Sequence, residues 1–240
     1  MPDNKNNPWR INIKEDSPNE MEKYSLYSDY TTEQKKGFIE LIKLIDRCIT
    51  KLQQEGELTD YVKINARIKS AESALTNDER DSKVLDDVFG VEVLAGNEKA
   101  LRKILERLEI YMIAKRENIH DKENGYRAIH KVMNLRERAF LDLNFKSLSY
   151  ENIPMIEVQF KTFEVKENAT SGPANHLHYK GQTKEKIQEI FERNGFNEYN
   201  LPIMYTVENH KIRILSKQET IRDLYPFLRF KDGKEKGEER

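Results

Sequence analysis

Glu157 and Gln159 stand two apart in the run Met155-Ile156-Glu157-Val158-Gln159-Phe160-Lys161, where apolar and polar residues alternate. That period predicts a half-buried strand, with Ile156, Val158 and Phe160 toward a core. The opposite face would then carry carboxylate, amide and ammonium in a row, about 6 to 7 Å between neighbours. Such a row can hold a metal ion and a polar, anionic ligand; taken alone, the strand fits an ordinary solvent-facing row better. Three other stretches concentrate comparable chemistry. Arg67 and Lys69, with Ser73 and Arg80 downstream, point the same way on a strand and suit a clamp on successive phosphates, or a solvated basic edge. Asp86-Asp87 enters the apolar run Val88-Phe89-Gly90-Val91, a common place for one carboxylate to hold Mg²⁺, or simply to cap a turn. Lys122-Glu123-Asn124-Gly125-Tyr126-Arg127-Ala128-Ile129-His130 opens on an Asn-Gly turn and then sets Tyr126, Ala128 and His130 on one strand face. An aromatic ring beside Lys and His suits base stacking with phosphate contacts, or core packing. His176, His178, Tyr179 and Lys180 follow the Glu157 strand.

Other chemistries fit poorly. His176 and His178 are two apart with no His-x-x-x-His pair and no Cys ligand, so zinc is disfavoured. No Gly-x-Ser-x-Gly elbow marks a hydrolase. The dipeptide His120-Asp121 reads as loop. Lys+Arg 41 against Asp+Glu 42 gives a net charge of -1, so no global field recruits nucleic acid or an anionic membrane, and any basic site is local. The single Cys48 lies in a helical pattern, which excludes an internal disulfide framework and fits buried filler in a reducing, cytoplasmic setting. No apolar run reaches the length of a membrane span, and the first residues have no signal-like apolar core.

The elements that must position these residues follow an α+β order, helices flanking a mixed sheet. Residues 1–30 read as a polar arm. A helix is expected from an N-cap at Thr31 or Thr32 to about Gln54, carrying the stripe Phe38, Leu41, Ile42, Ile45, Ile49 and Leu52. Strands are expected at Tyr61–Lys69, from Val88 to Leu94, and at Tyr126–Asn134, Ala139–Phe145 and Met155–Lys161. A helix spans Glu98 to Ala114, with shorter ones from Ser70 to Thr76, from Thr162 and over Thr183–Asn194. The tail reads strand (Ile203–Val207), strand (Lys211–Leu215), helix (Glu219–Phe227), then a frayed end over 231–240. This divides the chain into the arm, a main domain over 31–182 and a C-terminal extension over 183–230.

Taken in order, the four stretches resemble the synthetase domain of the RelA/SpoT family over about Ile64 to Lys180. The resemblance implies a nucleotidyltransferase-like mixed sheet and transfer of pyrophosphate from ATP to the 3′-hydroxyl of GDP or GTP, without a hydrolase domain. It implies ATP binding by Arg67, Lys69, Ser73 and Arg80, and Mg²⁺ held by Asp87 and Glu157. Glu157 would activate the attacking hydroxyl. GDP or GTP would be bound by Lys122, Asn124, Tyr126, His130, Gln159, Lys161 and His176. Three positions depart from the family's usual pattern: Glu92 and Lys161 each stand where an Arg is usual, and Asn77 where a Lys is common. Two alternatives stay open, a family member acting on the tRNA 3′ CCA end or adenine nucleotides, and a catalytically silent guanine-nucleotide sensor. A homo-oligomer also stays open.

Overall fold

The computed structural model describes residues 20–71, 73–74, 88–121, 126–143, 145, 148–171, 188 and 201–225. Helix α1 (Glu20–Gln54) precedes strand β1 (Val62–Ile68), and β2 (Phe89–Ala95) leads into α2 (Glu98–Glu109). Strands β3 (Met112–Asp121) and β4 (Arg127–Leu135) come next, then α3 (Glu137–Asp142) and a 3-10 turn at Tyr150–Asn152. Strand β5 (Ile156–Thr162) runs into α4 (Phe163–Ser171). The hairpin β6 (Ile203–Glu208) and β7 (Lys211–Ile214) and helix α5 (Lys217–Leu224) complete the order.

The strands form one seven-stranded sheet in the order β3-β4-β5-β2-β1-β6-β7. Only the central pair β2–β5 is parallel, which makes the sheet mixed, and the α+β expectation holds. Its apolar face follows from strand alternation. Ile64, Ala66 and Ile68 of β1, Phe89, Val91 and Val93 of β2 and Ile156, Val158 and Phe160 of β5 are all buried. Against them pack α1, through Phe38, Leu41, Ile42, Ile45, Ile49 and Leu52, and α2, through Leu101, Ile104 and Leu108. Cys48 is buried in the α1 stripe, as expected, and burial pushes its thiol up to about 11. Helix α2 starts where Asn97 Oδ1 accepts from the Ala100 N–H at 2.9 Å, a side-chain N-cap. A capping box between Ser216 and Glu219 opens α5.

Three expectations are corrected. Helix α1 begins at Glu20 rather than at Thr31. Thr31 Oγ1 does not cap; it donates to the Tyr27 carbonyl at 3.0 Å inside a continuous helix. The helix expected to reach Ala114 ends at Glu109, and Met112 starts β3, so His120 and Asp121 are strand rather than loop. The segment from Ala139, expected as a strand, is helix α3 over Glu137–Asp142; Ala139 turns inward while Leu141 is 71% exposed. The expected helix over Thr183–Asn194 and the end over 231–240 lie outside the described residues, apart from Gln188. Among the described residues no helix is long and apolar enough to cross a membrane.

Candidate functional site

Residues opposite one another in register share a sheet face. One line of such partners crosses all seven strands: Asn118, His130, Gln159, Glu92, Asn65, Thr206 and Arg213. Every member is polar, which is why this face is not the core face. The next line, two residues along, contains Glu157, Gly90 and Arg67. A Cβ at Gly90 would make ordinary contact with Arg67 Cγ and Nε at 3.5 Å, so the Arg67 stem lies across Gly90, toward Glu157.

Glu157 is the centre of this face. Gln159 Nε2 donates to Glu157 Oε2 at 2.7 Å, and His130 Nδ1 stands 3.4 Å from Oε1. With Nδ1–H turned to the carboxylate, His130 Nε2 is left as an acceptor for the Tyr126 hydroxyl, 2.9 Å away. Burial alone would raise the Glu157 carboxyl. The hydrogen bonds from His130 and Gln159, with the charge of Arg67, outweigh burial and hold it near 2. Burial, reinforced by Glu92 and Glu157, pushes the Tyr126 phenol above its usual range, so it stays protonated and donates. His120, which sequence reasoning placed in a loop, packs its ring 4.3 Å from His130 and 6.1 Å from Tyr126.

A second charged group lies beside the first. The Lys161 ammonium is 3.0 Å from Glu92 Oε1 and 5.5 Å from the Tyr126 ring centroid, a cation–π approach. Lys166, on the first turn of α4, reaches Glu92 Oε2 at 3.0 Å, and Asn65 Nδ2 donates to the same oxygen at 3.1 Å. Burial opposes ionisation of Glu92. The Lys161 and Lys166 charges and the Asn65 and Lys161 hydrogen bonds prevail, and the carboxyl sits near 2.

The expected site residues therefore fall into three groups. Tyr126, His130, Glu157, Gln159 and Lys161 converge, and Arg67 reaches them along its line. Lys69 follows β1, donates its N–H to the Val88 carbonyl at 2.8 Å and accepts from the Tyr27 hydroxyl through its own carbonyl, tying the strand end to β2 and α1. Ser73 lies in a helical turn whose Ser70 Oγ accepts from the Ser73 N–H at 3.2 Å. Arg80, Asp87, Lys122, Asn124 and His176 lie outside the described residues. Asn65 and Lys166 join the site without having been singled out in the sequence, and His120 joins it although His120-Asp121 read as loop. Asn65 was legible as the residue two before Arg67 on an alternating strand.

Among the described residues no group of three or more His, Cys, Asp or Glu side chains could hold a metal ion. Mg²⁺ does not require one, because it takes one or two carboxylates and completes its shell with phosphates and water. The hard oxygens of Glu157 fit that chemistry.

Residues 42–184 match the family model described as "Region found in RelA / SpoT proteins". No curated protein matches the chain. Among solved structures, small alarmone synthetase 1 from Bacillus subtilis is 21% identical, with TM-score 0.50 over 70% of this chain and 87% of that one. The same synthetase bound to its product pppGpp gives 18% identity and TM-score 0.52, over 71% and 90%. A GTP pyrophosphokinase family protein from Streptococcus pneumoniae gives 17% identity and TM-score 0.51, over 69% and 84%. The solved structures share the fold, and the family model covers more than half of the sequence: the chain belongs to the RelA/SpoT family.

Proposed function

We propose that this chain is a pyrophosphokinase, moving the β,γ-pyrophosphoryl group of ATP to the 3′-hydroxyl of GDP or GTP. The observation that carries the reading is the convergence of Glu157, His130, Gln159 and Tyr126 on one polar sheet face, with Arg67 alongside. Family membership supports it, as does the likeness in fold to a synthetase whose structure holds pppGpp.

The residues divide the work. Tyr126 offers its ring to the guanine, and its hydroxyl fixes the His130 ring. Arg67, with Lys69, Ser73 and Arg80, orients the ATP phosphates. The 3′-oxygen attacks the β-phosphorus, the bond from that phosphorus to the α,β-bridging oxygen breaks, AMP leaves, and Glu157 takes the hydroxyl proton. At about 2 the carboxyl is a weak base before substrate enters. Incoming phosphate charge raises its proton affinity, because a like charge nearby disfavours the ionised form. Mg²⁺, held by Asp87 and Glu157, would offset the triphosphate charge.

The test incubates the protein and a Glu157→Gln variant with Mg²⁺ and labelled ATP, adding GMP, GDP, GTP, ATP or bulk tRNA in turn. Label on the 3′ position of a guanine nucleotide, lost in the variant, is the expected outcome. Label on tRNA or an adenine nucleotide alone would replace the acceptor. Nucleotide binding with no transfer would make the chain a sensor and refute the proposal.

A further inference from the structure

Glu92 puts a carboxylate on the face that is to receive polyphosphate. Its surroundings show how that charge is tolerated. Oε1 faces Lys161 at 3.0 Å and Lys166 at 3.2 Å; Oε2 faces Lys166 at 3.0 Å and Asn65 at 3.1 Å. A carboxylate has about four acceptor positions, and these donors occupy them, so Glu92 has no oxygen left over to read a base. Among the described residues, two ammonium groups face this one carboxylate. Exposure then separates the two lysines. The Lys161 side chain is 9% exposed and sits beside the Tyr126 ring, whereas Lys166 is 34% exposed and forms the solvent side of the group.

The root of Lys166 is fixed. Thr162 Oγ1 accepts from the Val165 N–H at 3.3 Å at the start of α4, Val165 is buried, and the Phe163 ring stacks on Tyr61 at 5.8 Å. Glu92 fixes the tip. An ammonium held at both ends, next to the proposed base platform, is pre-organised for an anion.

We propose that Lys166 binds a phosphate group of the nucleotide on this face, and that Glu92 is the positioning residue that aims it. The inference rests on the nucleotide-binding reading above. Its ligand class is a nucleoside di- or triphosphate, and the experiment separates donor from acceptor. Binding of GDP, of a non-transferable α,β-methylene ATP analogue, and of guanosine and adenosine is measured by calorimetry on the wild type, Lys166→Met and Lys166→Arg. Melting temperature is read alongside. Lys166→Met is expected to lose about tenfold affinity for one of the two phosphorylated ligands, with no change toward the matching nucleoside and recovery in Lys166→Arg. The ligand that weakens identifies the subsite. A change in melting temperature with unaltered affinity for both phosphorylated ligands would overturn the proposal and leave the pyrophosphokinase reading standing. Equal weakening toward the nucleoside would overturn it too, by making Lys166 a base contact. A wild type that binds neither phosphorylated ligand would overturn both readings together.

Discussion

Replacing Glu92 by Gln tests whether the second charged group is held together by the carboxylate. Glu92 and Lys161 are 14% and 9% exposed at 3.0 Å, so solvent screens their interaction weakly. The carboxyl falls from 4.5 to about 2 on folding, a difference of about 3 kcal/mol of stability at neutral pH. Removing one member of a buried ion pair costs about 3–5 kcal/mol by a separate route, because the remaining charge is left uncompensated. The two agree. Because the folded value is depressed, this contribution is present in full above the ordinary carboxyl range and is lost as pH falls through about 2. For a chain of this size the expected drop in Tm is roughly 2–4 °C per kcal/mol, or about 6–12 °C for the single variant. Denaturant unfolding at pH 7 reads the free energy directly. Glu92→Gln combined with Lys161→Met should recover most of the loss, since no buried charge is then orphaned at Lys161. A single variant within 1 kcal/mol of the wild type would refute the argument that the carboxylate holds the cluster together.

Other perturbations probe the site and the core. Tyr126→Ala should weaken guanine-nucleotide binding by about 1–3 kcal/mol while Tyr126→Phe retains the stacking surface; titrations with both variants check this, and equal losses would move the role from ring to hydroxyl. Gly37→Ala should destabilise α1 by about 1–3 kcal/mol or more, because a Cβ there would collide with the Asn152 carbonyl oxygen; a Tm equal to wild type would contradict that packing. Tyr205→Phe should be neutral or stabilising by about 1 kcal/mol, since the buried Tyr205 hydroxyl finds no hydrogen-bond partner among the described residues; chemical denaturation reads the sign.

Strand alternation made most of the central sheet legible, and with it the polar line through Glu157 and Gln159. It failed where the two faces of a strand do not differ. Lys115, Arg116, Glu117 and Asn118 of β3 are all exposed, because an edge strand has open surroundings on more than one side. Leu108 and Met112, four apart, extended the α2 stripe into the next element. Missing β3 meant missing His120, whose site role comes from pairing opposite Ala128 beside His130. Six residues of α3 are too few for a 3.6 period to separate from a period of two. Thr31 carries the chemistry of a cap, yet its neighbours Tyr27 and Ser28 are already helical, so its hydroxyl bonds back along the helix. Lys166 carried no signal of its own: its importance depends on a tertiary contact with Glu92, 74 residues away.

Two depressed carboxylates on one face raise the question of which serves the chemistry, and their partners answer it. Glu92 is held by two permanent cations and an amide. Protonating it would leave Lys161 buried beside a neutral acid, so its depression is a property of the fold and it is a poor proton acceptor at any stage. Glu157 is held by an imidazole at 3.4 Å and a neutral amide, with Arg67 on the same line. A proton arriving on Glu157 strands no buried ammonium, and substrate phosphates drawn to Arg67 would weaken the field that depresses it. The same low value therefore marks a counter-ion in one case and a base awaiting its substrate in the other. Glu157→Gln should accordingly remove turnover even at saturating nucleotide, whereas Glu92→Gln, per folded molecule, should keep turnover at saturation and weaken binding of the nucleotide that Lys166 holds.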